Sequence, residues 1–200
     1  MTPLPSAVVL DLAELEQQVA CCTRCRLAES RTQTVFSRGD PDSGLVFIGE
    51  GPGAEEDRQG LPFVGRSGQL LDRLVAEEIG LDRARVFVVN VVKCRPPANR
   101  DPRDDEVAAC TPYLEAQLEA TDPAVIVTLG NFATRFMLGT TEGVTRLRGR
   151  SYPRGAAVVV PTFHPAAALR GGGDVLAAMR ADLVRAKQAL EVAGRLVDGP

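Results

Sequence analysis

The sequence predicts an α/β/α sandwich built on a central sheet of four parallel strands. Four apolar runs are the first sign: Leu45–Ile48 (LVFI), Val86–Val92 (VFVVNVV), Ala124–Leu129 (AVIVTL) and Ala157–Val160 (AVVV). They are short, β-branched and continuous, so they read as strands covered on both faces, which is the environment of parallel strands. Helical patterns separate them, the second sign, and such alternation folds into three layers through right-handed crossovers. The third is size: 200 residues, 44% of them hydrophobic, suit one domain over 1–200 with a sizeable core.

The elements follow in order. Asp11–Ala20 is expected as a helix ahead of the first strand. Ser67–Ile79 sets Leu70, Leu71, Leu74 and Val75 on one face, the stripe of a packed helix. Arg103–Ala120 opens after Asp101-Pro102 and carries Val107, Ala108, Tyr113 and Leu114. Asn131–Leu138 follows the third strand, with Asn131 placed as an N-cap. Pro165 suits the first position of a helix, which puts His164 at its N-cap. Asp174–Leu190 is the last helix. Arg31–Ser43 and Glu55–Arg66 read as the long loops, and Arg195–Pro200 as a frayed tail. There is no internal repeat.

The N-terminal MTPLPSAVVLDLAE lacks a basic n-region, and no stretch approaches the roughly 20 apolar residues of a membrane span. The expectation is a soluble, cytoplasmic monomer with reduced thiols and no membrane partner. A net charge of -3 argues against a general nucleic-acid binder. The distribution is uneven, however. From Gly143 to Gly173 the chain carries Arg146, Arg148, Arg150, Arg154 and Arg170, no acid, and its only histidine, His164. Arg95, Arg100 and Arg103 form a second basic group. Arginine forks suit phosphates. Lysine is scarce throughout the chain, so compositional bias is the competing explanation.

Four cysteines carry the strongest chemical signal. Cys22 and Cys25 read C-x2-C, and Cys94 and Cys110 read C-x15-C after a 68-residue gap. The tight pair can hold one centre from a single turn, and the fold must bring the distant pair to it. Thiolates select zinc or iron–sulfur, and the spacing does not separate these. A disulfide is the competing reading, unsupported by any secretory signal. Cys21 is an odd fifth thiol, read as a spare neighbour.

Ligands in open α/β sheets bind off the carboxyl ends of strands, and four such ends here are unusual. Gly49-Glu50-Gly51-Pro52-Gly53 follows the first strand. Its glycines permit close backbone approach, and its N–H groups can form an anion nest. It has neither the G-x-G-x-x-G spacing of a dinucleotide site nor the G-K-[ST] of a P-loop, and many such clusters are simply turns. Asn90 is a polar residue among valines, either a ligand group or a structural amide. Gly130-Asn131 follows the third strand, and Thr162-Phe163-His164-Pro165 the fourth. A lone histidine is usually structural, but one facing a glycine loop at a strand end is a candidate for chemistry.

GEGPGAEED (Gly49–Asp57), LPFVG (Leu61–Gly65), VNVVKCRPPANRDP (Val89–Pro102) and HPAAAL (His164–Leu169), together with the cysteine spacing, resemble the motifs of family 4 uracil-DNA glycosylases. The match runs in order from about Cys22 to about Leu190. The resemblance implies a structural [4Fe–4S] cluster on Cys22, Cys25, Cys94 and Cys110. It also implies removal of uracil from single- or double-stranded DNA as the first step of base excision repair.

The resemblance also implies residue roles. Such an enzyme must take the base out of the stack. Phe63 corresponds to the aromatic that stacks on uracil, and Asn90 to the amide that reads N3–H and O4. Glu56 corresponds to the barrier against the thymine methyl. His164 corresponds to the donor to uracil O2, and Glu50 to the acid that orients water or stabilises the cationic sugar. Gly51 and Gly53 would supply backbone donors, and Asn99 a contact to phosphate or water. Arg148, Arg150 and Arg170 are the candidate DNA contacts, with Leu169 as the wedge that fills the vacated stack.

Two departures stand out. Ala166-Ala167-Ala168-Leu169 is less bulky than the run in many relatives. RPPANRDPRDDE has no histidine and no insertion, unlike a related class that crosslinks to DNA, so turnover is expected. The alternative function is a non-catalytic iron–sulfur module that binds DNA or docks on a polymerase; the intact Glu50, Phe63, Asn90 and His164 set argues against it. A metal-dependent nucleotide hydrolase would need an acidic cluster that the sequence lacks.

Overall fold

The computed structural model describes residues 11–195. In chain order the elements are α1 (Leu12–Ala20), β1 (Leu45–Gly49), α2 (Ala54–Gln59), α3 (Arg66–Glu78), β2 (Phe87–Asn90), α4 (Asp104–Thr121), β3 (Val125–Leu129), α5 (Gly130–Leu138), α6 (Val144–Leu147), β4 (Tyr152–Arg154), β5 (Ala157–Thr162), α7 (Pro165–Gly171) and α8 (Gly173–Val192).

The sheet order is β2-β1-β3-β5-β4. The four apolar runs are its parallel strands, in a register that opposes Gly49 to Asn90 and Leu129 to Thr162. The expectation of four strands needs a correction, because a fifth, β4, runs antiparallel to β5. Its YPR sequence is partly exposed and contains a proline, features of an edge strand and not of an apolar run. Gly155 makes the tight turn between them at φ +60°.

Alternate strand residues feed two cores. Leu45, Phe47, Val88, Val127 and Val160 pack toward α3 and α8. Val46, Ile48, Val89, Ile126 and Val159 pack with Leu114 of α4 and Met137 of α5. This is the three-layer arrangement. A smaller cluster of Leu15, Val19, Phe36 and Tyr113 seats α1 on α4, and so carries the turn after α1 toward the start of α4.

Other differences are local. The segment expected as a loop over Glu55–Arg66 contains α2, bounded by Gly53 and Gly60. Asn131 does not cap its own helix. Leu129 takes that position, and Asn131 Oδ1 instead accepts from the Val144 N–H at 2.8 Å, capping α6. Of the expected tail Arg195–Pro200, Arg195 pairs with Asp122 at 3.6 Å, and the rest lies outside the described residues. Among the described residues no helix is long and apolar enough to cross a membrane.

Candidate active site

The site forms at the carboxyl ends of β1, β2, β3 and β5. Gly49 ends β1 opposite Asn90. A Cβ on Gly49 would collide with Asn90 Oδ1 and come within 2.7 Å of the Phe63 ring edge. Only glycine lets the amide and the ring share this corner. Past the strand end, Val91 N–H donates to the Gly49 carbonyl (2.9 Å) and Val92 N–H to the Glu50 carbonyl (3.1 Å). The glycine loop is thereby fixed to the exit of β2.

Asn90 is buried, and its Oδ1 has no hydrogen-bond partner among the described residues. An unpaired buried acceptor costs about 1–3 kcal/mol. A ligand donor would recover that energy. The Asn90 main-chain carbonyl, by contrast, accepts from Lys93 Nζ at 2.6 Å.

Phe63 holds a left-handed backbone at φ +54°, a strain of order 1–3 kcal/mol for a bulky residue. Its neighbours enforce it. Buried Arg38 donates Nε to the Pro62 carbonyl at 2.9 Å and pairs with Asp72. Glu56 Oε1 accepts from the Val64 and Gly65 N–H groups, each at 3.0 Å. Glu56 is therefore a brace for the turn that carries the aromatic, as well as a carboxylate beside Gly53. Phe63 meets His164 at a ring-centroid distance of 5.7 Å, tilted 33°.

His164 is the N-cap of α7, as Pro165 implied, and its Nδ1 accepts from the Ala166 N–H at 3.1 Å. That bond assigns the ring proton to Nε2. Burial, then the charge of Arg170, pushes the imidazole down to about 4, while Glu56 pulls the other way. The ring is therefore held neutral by burial and Arg170, with Arg146, Arg148 and Arg150 not among the causes. Gly130, at φ +90°, leaves room for it, since a Cβ there would lie 3.0 Å from His164 Cβ.

Glu50 is half-buried. Burial, and then the charge of Asp101, raises its carboxyl to about 7. An acid with that affinity exchanges protons at neutral pH. A Cβ on Gly51 would come within 2.7 Å of Val92 Cγ2, and one on Gly53 within 2.7 Å of Glu56 Oε2.

The remaining predicted residues divide. Arg148 turns inward. Its guanidinium pairs with fully buried Asp182 at 2.9 and 3.0 Å, donates to the Ala178 carbonyl and stacks over Phe163. Its donors are occupied within the fold, unlike those of a free phosphate contact. Arg150 and Arg170 are exposed, and Leu169 is 45% exposed on α7. Asn99 lies on the surface in a left-handed turn, its Oδ1 accepting from Arg95 Nε at 2.8 Å. Arg100 forms a two-pronged pair with buried Glu106. Sequence reasoning passed over Arg38 and Lys93. Lys93 carried a signal, a charged residue directly following the apolar run that holds Asn90.

Cys22, Cys25, Cys94 and Cys110 line one small cavity, together with Arg31 and Lys93. Arg31 Nη1 donates to Cys94 Sγ at 3.3 Å, and the Lys93 main-chain N–H to Cys110 Sγ at 3.3 Å. Burial raises the Cys25, Cys94 and Cys110 thiols, Cys94 to about 11. A bound positive centre would be needed to keep them ionised together. One tetrahedral zinc wants its sulfurs about 3.8 Å apart. Among the described residues no three candidate ligands converge on a single ion. N–H···S bonds of this kind orient and tune thiolates that hold a metal centre. Cys21 lies outside this cavity, exposed, with Sγ directed to the Gln17 carbonyl.

Comparison with known proteins agrees with this geometry. The family model described as Uracil DNA glycosylase superfamily matches residues 36–190. A type-4 uracil-DNA glycosylase of Sulfurisphaera tokodaii is 43% identical over 166 residues, covering 79% of this chain and 76% of the relative. Its counterpart from Saccharolobus solfataricus is 44% identical over 168 residues, 80% and 77% of the two chains. That of Thermotoga maritima is 46% identical over 164 residues, 81% and 85%. On these matches, the chain belongs to the uracil-DNA glycosylase superfamily and, within it, to the type-4 uracil-DNA glycosylases.

Proposed function

We propose that this chain, acting as one domain, flips uracil out of DNA and hydrolyses its N-glycosidic bond, leaving an abasic site. The observation that carries the reading is the buried, unpartnered Oδ1 of Asn90 beside the Phe63 ring. Uracil offers the missing donor, N3–H, and its O4 accepts from the Asn90 amide NH2. Cytosine has the opposite polarity at both positions and would leave buried groups unpaired, which discriminates far better than shape. Phe63 supplies a stacking face worth about 1–3 kcal/mol.

Bond cleavage leaves negative charge on uracil and positive charge on the sugar. The Nε2–H of neutral His164 donates to O2, and that bond strengthens as charge grows. Ionised Glu50 orients water and stabilises the sugar cation. Glu56 excludes the thymine methyl by holding the Phe63 turn rigid. Gly51 and Gly53 let the loop approach the substrate. Arg150 and Arg170 face phosphates and Leu169 fills the vacated stack. Asn99 and Arg148 serve as supports, the first through Arg95 and the second through Asp182.

Cys22, Cys25, Cys94 and Cys110 would hold a [4Fe–4S] cluster, which would cross-link the turn after α1 to the β2–α4 connection and to α4 itself. Hydrolysis moves no electrons, so its contribution is structural.

The test is incubation with an end-labelled uracil oligonucleotide without added metal, followed by alkali. Strand cleavage at uracil, and none at cytosine or thymine, is expected. An iron-loaded protein that binds the oligonucleotide but leaves it uncut would overturn the reading.

A further inference from the structure

Lys93 stands between two sites. It is fully buried and is the residue before Cys94. Its ammonium donates to the Asn90 carbonyl at 2.6 Å, while its main-chain N–H donates to Cys110 Sγ. Its carbonyl accepts from the Val35 N–H at 2.8 Å. The Cys110 and Cys94 sulfurs are its neighbouring ionisable groups. A buried cation holds its place only against an opposite charge. Four thiolates around a cluster carry net negative charge and provide one.

We infer that Lys93 is a positioning residue that ties the main chain of Asn90 to the cysteine-held cluster, so that the uracil pocket keeps its shape only while the cluster is in place. The inference rests on the proposed uracil chemistry for its functional meaning, and on hydrogen bonds and charge for its geometry. The link extends one step further. Residues 91 and 92 lie between Asn90 and Lys93, and their N–H groups hold the Gly49 and Glu50 carbonyls. A shift of Lys93 therefore reaches the base-reading amide and the acid that orients water through one continuous stretch of chain. The cluster becomes a support for the catalytic loop and not only for the N-terminal turn.

The test compares Lys93→Met with Lys93→Arg, measuring iron per chain, the visible absorption of the cluster and single-turnover uracil cleavage scaled to bound iron. Iron-loaded Lys93→Met is expected to cleave at least about tenfold more slowly than wild type per cluster, and Lys93→Arg, which keeps the charge, to recover part of that loss. A wild-type rate per cluster in Lys93→Met overturns the inference.

Hydrogen exchange on the natural chain decides the matter if the variants do not accumulate. Removing iron with a chelator should speed exchange at the Val91 and Val92 amides at least about tenfold while the β3 amides keep their protection. Val91 and Val92 changing no more than β3 overturns the link. Wild-type protein that shows the exchange change but never cuts uracil DNA would overturn the functional reading instead, so the two failures are distinguishable.

Discussion

The pH dependence of cleavage tests the two titrating groups of the pocket together. Glu50 is raised to about 7 and His164 lowered to about 4. If ionised Glu50 is the active form, mass action leaves it about 1% ionised at pH 5, half at pH 7 and about 90% at pH 8. The single-turnover rate should therefore climb roughly tenfold per pH unit from about pH 5 to 7 and then level off. Phosphates of bound DNA add negative charge nearby, which moves the midpoint up and never down. His164 is neutral across this range and adds no inflection above about pH 5.

Glu50→Gln keeps the size and most hydrogen bonding. It should give a flat profile at least about tenfold below the wild-type plateau, about 1.4 kcal/mol of barrier. The assay is cleavage of a labelled uracil oligonucleotide by excess enzyme across pH 5–9, with DNA affinity measured in parallel. A flat wild-type profile refutes the role of Glu50. A rate that falls as pH rises through about 6.5, with the fall abolished in His164→Gln, makes His164 a cationic acid and refutes the neutral donor.

Four further outcomes follow from the same structure. Below about pH 4.5 Glu50 is protonated folded or unfolded, and above about 7 the folded state alone carries the buried charge, so Glu50→Gln should raise Tm at pH 8 and leave it unchanged at pH 4. Asn90→Asp should weaken uracil excision because a carboxylate cannot donate to O4, and should admit cytosine when protonated; full activity and selectivity in Asn90→Ala would return Asn90 to a structural role. Arg148→Met should cost about 3–5 kcal/mol in urea unfolding by stranding Asp182, whereas Arg150→Ala and Arg170→Ala should leave stability alone and each lower the salt slope of DNA binding by about 1. Purified protein should be yellow-brown with broad absorption near ~400 nm; serine at Cys22, Cys25, Cys94 or Cys110 should lower iron content and soluble yield, and Cys21→Ser neither.

The parallel strands were legible because burial on both faces leaves continuous valine and isoleucine runs that few other environments permit. β4 was not, since YPR owes its conformation to the β5 edge and the Gly155 turn. α2 is a six-residue AEEDRQ helix with one buried position, Asp57, whose carboxylate accepts from the Thr32 N–H at 2.9 Å. No local periodicity announces such an element. In the site, His164 at a helix N-cap could be read from the proline after it, and the cysteines from their spacing. Phe63 could not be read from residues alone, because its left-handed backbone is imposed by Arg38 and Glu56 from elsewhere in the chain. The arginine run misled for a similar reason. Sequence shows five neighbouring arginines as equivalent, while only the fold shows that Arg148 reaches an aspartate 34 positions away.

The solitary histidine has a practical corollary for spectroscopy. The chain contains one imidazole and no tryptophan, so a nitrogen–proton correlation spectrum tuned to ring nuclei holds a single set of signals, all from the pocket. The Ala166 bond to Nδ1 dictates their pattern, with one nitrogen resonating as an acceptor and the other as a protonated donor. The Phe63 ring 5.7 Å away shifts them by its ring current. A base sliding onto Phe63 would change that current at once. Occupancy, tautomer and ring protonation are thus readable at one residue of the natural sequence, without an attached reporter group or a fluorescent substrate.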